Sequence, residues 1–204
     1  MKAITISILT AALFTFTACS DKKDQVSASK STTQEHDMST MNHEAIPEGD
    51  VKVIESPKNT KADFTELYSH YQHLTFALSS DNDKEAASGA NGILEALAKV
   101  DKTGLSAEQA KEYADIEADI KEHAEHIKGN VGNIAHQREH LDLLSQDIYD
   151  IATKFGAGKT LYKIQCPMYN DNKGAYWLST TKEVKNPYYG KEMISCGVVQ
   201  EEIK

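Results

Sequence analysis

Two cysteines near the C-terminus each sit beside a methionine, in Cys166-Pro167-Met168 and Met193-Ile194-Ser195-Cys196-Gly197. Thiolates and thioethers are soft, polarizable donors, the kind that select Cu(I) over harder ions. Cys166, Met168, Met193 and Cys196 are therefore candidate metal ligands. The same two cysteines could instead form a disulfide or remain buried thiols. A disulfide closing a loop of about thirty residues would contribute roughly 3–4 kcal/mol by the chain-entropy estimate.

Histidines supply further donors. His36, Met38, Met41 and His43 fall close together. A flexible loop could wrap them around Cu(I), or around Cu(II) through the imidazoles. His123, His126, His136 and His140 form two pairs at helical spacing. His136 and His140 are one turn apart, a spacing that can chelate. All four sit beside the apolar stripe rather than on it, and nothing near them resembles the fuller motif of a known zinc helix. The expectation is four solvated imidazoles on helix flanks, with a metal site as the lesser alternative.

No enzyme is expected. The chain has no nucleophile elbow, no His-Glu-x-x-His and no phosphate-binding glycine loop. Its carboxylates recur as i,i+4 partners of lysine, the usual pattern of a solvated helix face. A formal charge of −9 repels phosphate backbones and argues against nucleic acid as a partner.

Residues 1–18 read as a signal peptide. Lys2 is followed by an uncharged apolar or small run from Ala3 to Phe16, too short for a comfortable membrane span. The run ends Phe16-Thr17-Ala18-Cys19, which resembles a bacterial lipobox. That implies cleavage before Cys19 and lipidation of its thiol and new amine. The expected location is the cell envelope, on its periplasmic or surface face, with the protein held to a membrane by its lipid. Residues 19–61 are poor in large apolar side chains and are expected to form a disordered tether.

The elements that must position the candidate ligands follow. Residues 62–158 carry helical periodicity. Phe64, Leu67, Tyr68, Tyr71, Leu74 and Leu78 mark one helix. Ala86, Ala90, Ile93, Leu94 and Leu97 mark a second. Ser106 opens a third, with an imperfect capping box. The stripe from Tyr113 to Phe155 could run as one long helix, but Gly129-Asn130-Val131-Gly132-Asn133 interrupts it. Two glycines cost roughly 2 kcal/mol in a helix relative to alanine, and asparagines favour caps. A break there gives an up-down four-helix bundle, a mainly α fold, and brings the four histidines to one end. Arg138, the lone arginine, falls near the core-facing register, where it pairs with a carboxylate or caps carbonyls rather than performing catalysis. Residues 159–204 hold Trp177 and much of the tyrosine. Short strands are expected at Tyr162–Gln165 and Ala175–Leu178, with turns at Asp171–Gly174 and Asn186-Pro187. This irregular β cap is too small for its own core and must pack on the bundle, on a metal, or around a disulfide.

The tail motifs Cys166-Pro167-Met168, Gly174-Ala175-Tyr176-Trp177-Leu178-Ser179, Asn186-Pro187-Tyr188-Tyr189-Gly190 and Met193-Ile194-Ser195-Cys196-Gly197 resemble the DUF3347 family. Gln137-Arg138-Glu139 and Leu144-Ser145 resemble its helical part. The likeness is expected to cover about Ala62 to Ile203. The family occurs as lipoproteins of Bacteroidota, which are Gram-negative, and as a domain on periplasmic adaptor subunits of heavy-metal efflux pumps. The resemblance implies copper handling, with Cys166, Met168, Met193 and Cys196 as the positions at issue. The expected function is a copper-binding envelope lipoprotein, a scavenger or metallochaperone linked to efflux. The alternative is a structural or interaction module stapled by a Cys166–Cys196 disulfide.

Overall fold

The computed structural model describes residues 51–57 and 62–204. The expectations for Cys19 and for His36, Met38, Met41 and His43 lie outside these residues. Helices α1 (Thr65–Ser79), α2 (Asp83–Leu97), α3 (Ala107–Gly129) and α4 (Ile134–Phe155) form a four-helix bundle. Each helix packs on the next in sequence, as short links require of antiparallel neighbours. No helix among the described residues is long and apolar enough to cross a membrane.

Local chemistry explains each boundary. The Asn82 side chain accepts from Glu85 N and starts α2. Ser106 and Gln109 form a full capping box at α3, where the sequence suggested only an imperfect one. The α3–α4 break falls where the glycines and asparagines predict it. Gly132 takes φ +92° and Asn133 caps α4 by accepting from His136 N. Three bonds then fasten the hairpin, two of them to Asp83 at the start of α2. Gly132 N donates to Asp83 Oδ2 at 2.6 Å, and the buried Gln137 amide donates to the carbonyls of Ile127 and Asp83, both at 3.0 Å.

The core is continuous from bundle to cap. Leu74, Ile93, Ile120 and Leu141 are fully buried, as are Leu161, Ile164 and Ile203 of the sheet. Each such side chain contributes about 1.5–3 kcal/mol by leaving water. Between α1 and α2 the backbones approach closely. A Cβ on Gly89 would stand 2.8 Å from Leu74 N, so that contact needs glycine.

The cap is a four-stranded sheet ordered β1-β4-β2-β3, from β1 (Lys52–Ile54), β2 (Leu161–Cys166), β3 (Ala175–Ser179) and β4 (Val198–Ile203). It is tied to α1 through Tyr71 Oη, which accepts from Leu178 N, and Gln72 Nε2, which donates to Leu178 O. Strand β1 corrects the expected extent of the tether. Lys52–Ile54 pairs in parallel with Glu201–Ile203, and a three-residue strand has no local signal strong enough to announce a partner so far along the chain. The expected turn at Asp171–Gly174 begins one residue earlier, with Asn170, Asp171 and Asn172 all at left-handed φ, which short amide and carboxylate side chains tolerate best.

Candidate metal centre

The hairpin break turns α3 and α4 so that their histidines face each other. His126, His136 and His140 each offer a ring nitrogen, and these atoms lie within 4.8 Å of one another. The rings of His126 and His140 stack with centroids 4.2 Å apart, and His136 meets His140 edge-on at 4.7 Å. The expectation of four solvated imidazoles is corrected in part. Helix pairing draws His123, His136 and His140 into a half-buried seam, while His126 stays exposed at its edge. Imidazole nitrogens about 2.0–2.1 Å from one ion stand roughly 3.4 Å apart, so metal binding would draw these rings inward by about an ångström.

His123 stands outside this convergent set but joins it from behind. Its Nδ1 lies 3.2 Å from His140 Nδ1, and its Nε2 lies 3.8 Å from Asp147 Oδ2. Asp147 Oδ2 is buried without a hydrogen-bond partner. His136 Nδ1 meets the Glu139 carboxylate at 2.8 Å. A carboxylate only accepts, so His136 carries its proton on Nδ1 and keeps the Nε2 lone pair for a metal.

Burial sets the electrostatics. It holds His123 below the ordinary imidazole value, and the neighbouring acids Glu122 and Asp119 only partly oppose it. It also lowers His140, aided by repulsion from His126, His136 and His123. Both rings thus favour the neutral, metal-ready form. Burial pushes Asp147 up to about 7, reinforced by Asp119 and Asp150.

The tail donors form a separate constellation. Cys166 and Cys196 are free thiols whose sulfurs approach to 2.9 Å, the first buried and the second half-buried. Burial, then the Cys166 contact, pushes the Cys196 thiol up to about 11, so a metal there must displace a tightly held proton. Met168 is 45% exposed, and its carbonyl accepts from Tyr189 Oη. Met193 is half-buried. The structure brings the two thiols together without enclosing Met168.

Arg138 does the expected structural work. It donates to Pro187 O, Leu78 O and Asp81 Oδ1, joining α4 to the cap and to the α1–α2 turn. Sequence reading missed Asp147 as a partner of the histidines. Its only signal was its place two turns beyond His140 on the same helix face.

Residues 67–160 match the family model described as a protein of unknown function, DUF3347. The match lies on the helices, including all four histidines, and stops before the Cys/Met motifs of the tail. The expected span to Ile203 is shortened accordingly. No curated protein and no solved structure matches the chain.

Proposed function

We propose, for a chain whose residues 67–160 belong to the DUF3347 family, a copper-binding role in the cell envelope with His126, His136 and His140 as the metal site. The observation that carries it is the convergence of three imidazole donors within 4.8 Å. Imidazole suits zinc, copper, iron and nickel, and among divalent ions Cu²⁺ is bound most strongly by a given nitrogen site. An all-nitrogen set therefore favours Cu(II), whereas the tail sulfurs suit Cu(I). The protein binds and hands on its ion rather than catalysing a reaction. Lipidation at Cys19 keeps it at a membrane, where a periplasmic adaptor or other component of a heavy-metal efflux pump would receive its ion.

The test is titration of the full chain with Cu²⁺ and Zn²⁺ under chelator competition. One Cu²⁺ should bind through nitrogen, outcompete Zn²⁺, and lose that site in His126→Ala/His136→Ala. Unchanged affinity in the double variant would remove the histidines from the metal site.

A second reading is favoured by the 2.9 Å approach of the tail sulfurs. Cys166 and Cys196 would hold Cu(I), with Met168 and Met193 as added thioether ligands. The same proximity suits a disulfide, and the chain would then be a structural or interaction module of the envelope.

A further inference from the structure

The geometry points to an outer layer behind the three-imidazole site, in which Asp147 and His123 act as positioning residues that fix the tautomer of His140. The inference rests on the reading of His126, His136 and His140 as ligands. It assigns His123 a role other than fourth ligand and gives Asp147 a role in binding.

The argument follows the protons. His123 lies one turn before His126 on α3, with its side chain only 15% exposed. It stands between His140 and Asp147. A hydrogen bond between the two Nδ1 atoms, 3.2 Å apart, needs one to donate and the other to accept. Once ionised, the Asp147 carboxylate can only accept, and its orphaned Oδ2 faces His123 Nε2 at 3.8 Å. A small side-chain rotation closes that gap. The proton of neutral His123 therefore sits on Nε2, and its Nδ1 carries the lone pair. His140 must then donate from Nδ1. That leaves the Nε2 lone pair of His140 for a metal.

The same logic operates directly at His136, where Glu139 accepts from Nδ1 at 2.8 Å. Two of the three ligands are thus held from behind, one by a carboxylate and one by a carboxylate acting through a second imidazole. Ligating histidines commonly donate their other ring N–H in this way, and removing such partners typically costs 10–100-fold in metal affinity. A fourth-ligand role would require a lone pair aimed at the centre. The only His123 nitrogen with a lone pair is instead engaged by His140.

The test uses the full chain and Cu²⁺ alone as probe, with affinity from chelator competition and ligand count from nitrogen superhyperfine structure in electron paramagnetic resonance. His126→Ala/His136→Ala defines binding elsewhere in the chain. His123→Ala and Asp147→Asn should each weaken Cu²⁺ roughly 10–100-fold while leaving the nitrogen count unchanged. His123→Asn, whose amide oxygen lies near the place of Nδ1, should restore most of the affinity. Circular dichroism of each variant guards against loss of fold. A reduced nitrogen count in His123→Ala would make His123 a ligand and overturn the proposal. So would unchanged affinity in both His123→Ala and Asp147→Asn. If the wild-type signal does not depend on His126 and His136, the three-histidine reading itself fails, which is a different result from either.

Discussion

His123 Nδ1 and His140 Nδ1 face each other at 3.2 Å across the α3–α4 seam. Seventeen positions separate the two residues in sequence, and only the turn at Gly132-Asn133 makes them neighbours. The seam is thus both a helix–helix contact and a donor cluster, so a metal bound there would be coupled to hairpin stability.

Metal should therefore stabilise the fold through this hairpin. An ion at about 100 times its Kd adds about 2.7 kcal/mol if it binds only the folded state. Thermal unfolding with and without Cu²⁺ should show a rise in Tm of several degrees. His126→Ala/His136→Ala should abolish the rise, and a rise that persists would place the stabilising ion elsewhere.

Asp147 should make the apoprotein pH-sensitive in a defined direction. Its folded-state pKa is raised to about 7 from 3.8. The folded state thus binds a proton more tightly than the unfolded chain does. The carboxylate's cost is complete above pH 7, shrinks as pH falls towards 4, and is absent below. Asp147→Asn should stabilise metal-free protein at pH 8 by about 1–2 kcal/mol and do little at pH 4. Urea unfolding at both values checks this, and a loss of stability at pH 8 would show that the carboxylate is satisfied in solution.

Gly89 should tolerate no side chain. Alanine there would gain about 1 kcal/mol of helix propensity, but its Cβ would lie 2.8 Å from Leu74 N and 2.9 Å from Leu74 Cα. Backbone cannot yield as a flexible side chain can. Gly89→Ala should destabilise by about 1–3 kcal/mol net. Chemical denaturation that instead shows stabilisation would mean α1 and α2 separate more readily than this packing allows.

Arg138 should be irreplaceable even by lysine. Its Nε and Nη2 reach three acceptors, Pro187 O, Leu78 O and Asp81 Oδ1, from one planar group. Lysine offers a point charge without that fork. Both Arg138→Lys and Arg138→Ala should cost about 2–4 kcal/mol, with faster hydrogen exchange in the Asn186–Gly190 segment. Normal protection there in a destabilised variant would refute the clamp.

The tail thiols should discriminate between metal and disulfide through the methionines. Met168→Leu/Met193→Leu preserves approximate volume and removes both thioethers. If the tail holds Cu(I), reduced protein should lose affinity in this variant and again in Cys166→Ser. Unchanged affinity in both would leave the thiol pair with a structural role.

Local chemistry in the sequence determined the helices, the break and much of the cap. Periodicity from Phe64 to Leu78, the asparagine caps at Asn82 and Asn133, and glycine at Gly132 act within a few residues, so they are legible in one dimension. The same holds for Arg138, whose core-facing register foretold carbonyl and carboxylate partners. The donor cluster is half legible. A hairpin at Gly129–Asn133 implies that four histidines share one end, but whether they meet depends on how α3 and α4 are rotated about their axes. Packing of Ile120, Ile127, Leu141 and Ile148 in the shared core decides that rotation, and with it which imidazoles converge and which carboxylate stands behind them. Tertiary structure alone also decided that Lys52–Ile54 pairs with Glu201–Ile203 and that Cys166 meets Cys196. Strand edges and distant thiols carry no record of their partners, because the energy that joins them arises only once the chain between has folded.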